Sequence, residues 1–199
     1  MMPRIDPADL ASTPTPPTLI TTNIPALDEI LGGGMPQGRV VSLSSVAYEQ
    51  KGINLPSLLA KQIAKHRNST YLTATPTISA DQFIQLVKDI AHASLTPNTI
   101  IIVDGLEDAT LEPTGLPNAV MGQYLTNYLP VLAERCKKNK CTLVFSAHTS
   151  LLITRYHAAL KLGVALSKDG NYVSVFAYKN TCGPAGEGVD LPLSAFETL

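Results

Sequence analysis

Residues 98–105 read NTIIIVDG. Four branched apolar residues in a row do not suit a strand with one wet face, because such a strand alternates apolar and polar side chains. The run is also too short to be a helix of its own. It is the pattern of a strand buried on both faces, and it ends in an acid, Asp104, followed by a glycine. RVVSLSS (39–45) and TLVFSAH (142–148) are of the same kind, and STYLTAT (69–75) reads as a further strand.

Helix-like segments lie between these runs. Leu27, Ile30 and Leu31 in NIPALDEILGGGMPQG are at helical spacing, and three glycines end that helix. SLLAKQIAKH carries Leu58, Leu59, Ile63 and Ala60 or Ala64 on one face. Ser79 is a cap for SADQFIQLVKDIAHAS, with Gln82 completing a capping box. A long helix is expected from about Asn118 to Lys138, bent at Pro130. Late in the chain, LKLGVALS and NYVSVFAYK flank KDG, a hairpin signal. The pattern predicts an α/β fold: a mostly parallel central sheet flanked by helices, with a late antiparallel hairpin at one edge. Ligands of such sheets bind beyond the carboxyl ends of the strands. Those ends are Ser44–Gly52, Thr73–Pro76, Asp104–Leu106 and Ala147–Thr149.

At 199 residues the chain is long enough for one domain with a substantial core. Residues 1–18, which include TPTPPT, read as a flexible N-terminal arm, and 19–199 as a single core domain. The net charge of −1 provides no general basic field for nucleic acid, so any such site must be local. The three cysteines, Cys136, Cys141 and Cys182, have no metal-type spacing and read as reduced thiols. No apolar run approaches the roughly 18 residues of a membrane span, and MMPRIDPADL lacks the apolar stretch of a signal peptide. The expectation is a cytoplasmic protein, or one of the nucleoid or nucleus, with no membrane partner.

The order of these elements resembles a RecA/RadA/KaiC-type ATPase core over residues 19–182. In LITTNIPALDEILGGGMPQGRVVSL, the positions of that family's lead-in to its first core strand are held by Thr22, Leu27, Asp28, Leu31, Gly32, Gly33, Gly34 and Gly38. NTIIIVDGL resembles the Walker B strand with Asp104 as its acid. TLVFSAHT resembles the sensor strand, with His148 or Thr149 at the tip. YVSVFAYKN resembles the late strand whose Lys179 and Asn180 would reach a neighbour's nucleotide. The resemblance implies a RecA-like fold, ATP as cofactor, and assembly as a homo-oligomer or with other RecA-like subunits. Asp104 and His148 are the candidate catalytic groups. Ser45, Gln50, Lys51, Gly52, Asp104 and Lys179 are the candidate cofactor-binding residues.

The phosphate loop departs from the family pattern G-x-x-x-x-G-K-[ST]. The aligned stretch is SVAYEQKG, residues 45–52, in which only Lys51 matches. Ser45 and Gln50 replace glycines whose freedom lets backbone N–H groups curl round a phosphate. Gly52 has no hydroxyl for Mg²⁺, so tight Mg²⁺ binding is not expected. Glu49 brings a like charge towards a triphosphate, a cost of about 4 kcal/mol at about 4 Å and an effective dielectric of about 20. Asn54 is a good cap and Pro56 suits only a first turn, so the following helix is expected to start near Leu55, too late for Lys51 to sit at its N-terminus. The second strand, TYLTATPT, has threonines such as Thr75 where these ATPases have a water-activating glutamate. Efficient ATP hydrolysis is therefore not expected, and ATP itself is a weakly supported ligand.

Several residues have two readings. Lys51 reads equally as a solvated loop lysine, His148 as a buried histidine at a sheet tip, and Lys179 as a strand-edge lysine. Arg135, Lys137, Lys138 and Lys140 read as a helix end favouring its dipole. Family recombinases contact DNA after the Walker B and sensor strands. Here residues 106–119 hold acids and no Lys or Arg, whereas 149–159 hold Arg155, Tyr156 and His157, a cation and two stackable rings. The resulting expectation is a RecA-like protein of DNA recombination or repair that acts by assembly, on single-stranded DNA or a recombinase partner, with weak or absent hydrolysis. The alternative is a pseudo-ATPase scaffold subunit of a ring or filament with no nucleic-acid role of its own.

Overall fold

The computed structural model describes residues 17–46, 53–65, 69–73, 77–79, 96–105, 110–112, 119–147 and 158–196, with helical positions at 82, 85, 88 and 89. Its centre is a seven-stranded sheet. The strands are β3 (Val40–Ser45), β4 (Ser69–Thr73), β6 (Ile100–Asp104), β8 (Thr142–Ala147), β9 (Leu160–Leu166), β10 (Tyr172–Asn180) and β11 (Gly188–Pro192). Their lateral order is β11-β10-β9-β3-β8-β6-β4. Pairings β4–β6, β6–β8, β8–β3 and β3–β9 are parallel, and β9–β10 and β10–β11 are antiparallel. The fold is thus α/β with a mostly parallel central sheet and added antiparallel strands, as the apolar runs predict.

Each unbroken apolar run occupies the middle of the sheet. All residues of β6 and β8 are buried. Helix α2 (Leu55–Ala64) buries Leu55, Pro56, Leu59, Ala60 and Ile63. Together with α1 (Pro25–Ile30) it covers one sheet face, where Leu27, Leu31, Leu43, Ile102, Val144, Leu162 and Val175 form one cluster. Helix α3 (Ala119–Asn139) packs on β8 and buries Leu129, Leu132 and Cys136. Pro130 is within it, as expected, and is exposed.

The segment that carries the family-like glycines acts as a lock. Asp28 accepts a hydrogen bond from the Thr22 N–H at 2.8 Å, which folds the chain ahead of α1 onto that helix. Leu27 and Leu31 are fully buried. The glycines then turn the chain back so that β2 (Met35–Pro36) pairs antiparallel with β1 (Leu19–Ile20). Gly34 has φ +135°, and a Cβ there would stand 2.3 Å from the Ile20 carbonyl oxygen. Only glycine permits that approach.

Two features differ from the sequence reading. The β9–β10 hairpin forms around Gly170, at φ +76°, but it does not end the sheet, because β11 pairs along β10. β11 is short and runs GVDLP between glycine and proline, so it carries little strand signal of its own. Ser79, read as a helix cap, is the last residue of β5 (Thr77–Ser79), which pairs parallel with β7 (Thr110–Glu112) in a separate ribbon. An extended backbone is what a cap residue has, but a strand partner here was not foreseen. β7 also gives regular structure to part of 106–119. Residues 1–16 lie outside the described residues, and the Thr18 carbonyl accepts the Gln37 N–H at 2.9 Å. No helix among the described residues is long and apolar enough to cross a membrane.

Replacing Gly34 by alanine combines a left-handed backbone with a backbone clash and is expected to cost about 3 kcal/mol. Gly186→Ala, at φ +87° with nothing within 4 Å, is expected to cost only about 1 kcal/mol. Urea unfolding of the two variants checks the difference, and equal losses would refute the lock.

Candidate functional site

The parallel strands β4, β6, β8 and β3 end on one edge of the sheet. β3 lies between β8 and β9, so the chain switches from one flank of β3 to the other. That switch point is where open α/β sheets hold ligands. The described groups there are Ser44 and Ser45 at the tip of β3, Ser146 at the tip of β8, Asp104 at the tip of β6, and the first turn of α2.

Asp104 is the centre of this edge. It is 4% exposed, although it carries a carboxyl group. Register places it beside Ser146 on one side and Thr73 on the other. The Ser146 hydroxyl donates to its Oδ1, and the Ser57 hydroxyl donates to its Oδ2. The Gly105 N–H donates to the Ser146 carbonyl at 2.8 Å and closes the corner from the backbone side. A buried carboxylate needs such donors, because leaving it unpaired costs several kcal/mol. One acid thereby ties together two strands and a helix.

The first turn of α2 is closed. Asn54 caps it, its side-chain oxygen accepting the Ser57 N–H at 3.1 Å. The Leu55 N–H donates to the Ile53 carbonyl at 3.2 Å, and the Leu58 N–H to the Asn54 carbonyl at 3.0 Å. Pro56 has no N–H. A helix start binds an anion through its unsatisfied N–H groups; here the Leu55 and Ser57 amides donate within the chain and Pro56 has none to offer. The helix begins at Leu55, as the Asn54–Pro56 pair predicts. These residues do not fit a phosphate cradle at the helix start. Among the described residues, no three His, Cys, Asp or Glu side chains are grouped to hold a metal ion.

The expected site residues are only partly brought together. Ser45 pairs in register with Val164 of β9, and Val46 beyond it is 47% exposed. Asp104 is two strands from β3, about 10 Å at the usual strand spacing. Lys179 is on β10, four strands from β6, roughly 19 Å away by the same spacing. Its Nζ donates to the Ala158 carbonyl at 2.8 Å, which secures the start of β9. Within one chain Lys179 does not join Asp104. Gln50, Lys51, Gly52, His148, Arg155, Tyr156 and His157 lie outside the described residues.

Two members of the cluster were not anticipated. One of the two hydroxyls on Asp104 comes from α2, and it is that of Ser57. The signal was present, since a cap at Asn54 puts residue 57 in the first turn. Ser146 could have been found by aligning the polar ends of IIIVDG and TLVFSA.

No family model matches this chain, and no curated protein is found to be similar to it. The site's geometry and the resemblance read from the sequence remain the basis for function.

Ser57→Ala and Ser146→Ala are each expected to lower stability by about 1.5 kcal/mol, the range for a hydrogen bond to a charged group. A double-mutant cycle of Ser57→Ala with Asp104→Asn, read by urea unfolding, should show a coupling above about 0.5 kcal/mol. Additive losses would mean that the serine and the acid do not act together.

Proposed function

We propose that this protein is a RecA-like core that acts by assembly in DNA recombination or repair, without efficient ATP turnover. One observation carries the second half of the proposal: in the first turn of α2 the Leu55 and Ser57 amides are spent within the chain and Pro56 has none, so little is left there to hold a phosphate. The Asp104 clamp supports the same reading. Its two carboxylate oxygens are engaged by serines that fasten the fold, which is a structural use of a residue whose family counterpart serves the nucleotide. In sequence, Lys51 is the one match to the phosphate-loop pattern, with Gln50 and Gly52 where a glycine and a hydroxyl are needed and Glu49 adding a like charge. The recombination context comes from the resemblance of residues 19–182, and Arg155, Tyr156 and His157 are the side chains with the chemistry to meet single-stranded DNA. Lys179 lies far from Asp104 in its own chain, so any role at a nucleotide would be towards a neighbouring subunit.

A second reading has its own support. The segment after β6 holds Glu107, Asp108 and Glu112 and no cation, and β7 within it is tied to β5. A segment rich in acids and without cations repels a phosphate backbone. It favours a scaffold subunit whose partner is protein.

The deciding experiment combines nucleotide binding, turnover and assembly. A fluorescent ATP analogue with Mg²⁺ is expected to show no saturable binding below about 1 mM, in wild type and Lys51→Ala alike. Sedimentation is expected to show oligomers without nucleotide. Saturable binding that Lys51→Ala abolishes would overturn the non-hydrolysing reading. Fluorescence anisotropy with labelled single-stranded DNA separates the two targets: binding weakened by Arg155→Ala supports recombination, and assembly with no DNA binding supports the scaffold.

A further inference from the structure

Helix α3 ends in a tight cap at the side of the sheet away from Asp104. The Cys141 N–H reaches back to the Cys136 carbonyl at 3.0 Å, and the Lys140 N–H reaches the Lys137 carbonyl at 3.3 Å. Lys140 lies between them in the left-handed region, at φ +55°. This pair of backbone bonds, with a left-handed residue inside, is the Schellman arrangement. It brings two side chains into contact across the end of the helix, one in the last full turn and one just beyond. That contact is ordinarily apolar. Here both side chains are cysteines.

Both thiols are buried, Cys136 at 1% and Cys141 at 0% exposure. The Cys141 thiol donates to the Cys136 carbonyl, its sulfur 3.7 Å from that oxygen. A backbone bond joining residues 136 and 141 holds their α-carbons at the kind of separation that a disulfide spans. All three cysteines are free thiols. Cys182 is half-buried in the loop after β10; its sulfur lies 3.6 Å from the Thr181 hydroxyl, and its N–H donates to Asn180 Oδ1 at 3.0 Å. The paired thiols are therefore distinguished by geometry from the third.

We propose that Cys136 and Cys141 form an oxidisable dithiol, which a small hydroperoxide converts to a disulfide that staples the end of α3 to the start of β8. The two thiols differ in acidity. The neighbouring Cys136 thiol pulls the Cys141 thiol below its usual range, and the Cys141 thiol together with burial pushes Cys136 up. Cys141 is thus the nucleophile. Its thiolate attacks one peroxide oxygen, the O–O bond breaks, and hydroxide leaves, giving a sulfenic acid at Cys141. The Cys136 sulfur then attacks the Cys141 sulfur, the S–O bond breaks, and the proton from Cys136 leaves with the departing oxygen as water. Overall, two thiols and one hydroperoxide give one disulfide and two oxygen-borne leaving groups, water and water or an alcohol. The site recognises only a small oxidant, because burial excludes larger disulfide reagents.

The staple closes a short loop, so its effect on the unfolded chain is modest. A rise of about 5 °C in Tm is expected on oxidation. It lies at the amino end of β8, and Ser146 holds Asp104 at the other end, so the staple leaves the serine clamp in place.

The test treats the full chain with hydrogen peroxide, then unfolds it, alkylates it and digests it with trypsin. Cleavage after Arg135, Lys137 and Lys140 separates the two cysteines, so the disulfide appears in mass spectra as one linked pair of peptides. The expected result is that Cys136 and Cys141 lose reactivity in step, that a thiol reductant restores both, and that Tm rises and falls with them. With a sulfenic-acid trap, Cys136→Ser should be labelled at Cys141 about ten-fold more than Cys141→Ser is at Cys136. The wild-type measurement needs no variant to fold. Recovery of both residues as free thiols while Cys182 oxidises would overturn the proposal, as would oxidation of either one without a link.

Discussion

The buried carboxylate of Asp104 is the point on which this structure turns. A charge at 4% exposure is tolerated only when donors surround it. Two serines meet that need, one from β8 and one from the first turn of α2. The same demand that makes the charge costly makes the geometry strict. β6 and β8 must end level, and α2 must begin where Ser57 can reach. The core beneath them, from Leu43 to Val175, is apolar and non-directional, so it stabilises the layers without specifying their register so tightly.

That constraint bears directly on function. A helix start facing the carboxyl ends of parallel strands is a natural anion site. In this chain the start has been closed by a side-chain cap, a proline and two backbone bonds. In this α/β architecture α1, the glycine turn and the sheet are in place, while the described donors at the start of α2 are turned to internal use. That internal use is the reason the proposed function rests on assembly and not on turnover.

Much of this was legible beforehand, for identifiable reasons. Ile100–Val103 could not be anything but a doubly buried strand. Asn54 with Pro56 announced the helix start at Leu55. KDG announced the hairpin, and the three glycines after Leu31 announced the reversal. Other parts were illegible. β11 is a strand because β10 offers it an edge, not because GVDLP prefers to extend. β5 and β7 are three residues each and gain their structure from one another. Ser57 and Ser146 looked like ordinary polar residues, because a hydroxyl carries no mark of the carboxylate it will meet. Lys179 matched a motif, yet its amine is committed to the Ala158 carbonyl.

By itself the sequence determined the alternation of strands and helices, the depth at which each strand lies, the place where α2 begins and the glycine turn before β2. These are local matters of periodicity, capping and backbone freedom, and they are decided within a few residues. Only the tertiary structure decided the order of the strands, the meeting of Asp104 with Ser57 and Ser146, the separation of Lys179 from that cluster and the added edge strand. Each of these joins residues far apart in the chain, and the energy that selects them comes from contacts that do not exist until the sheet has formed.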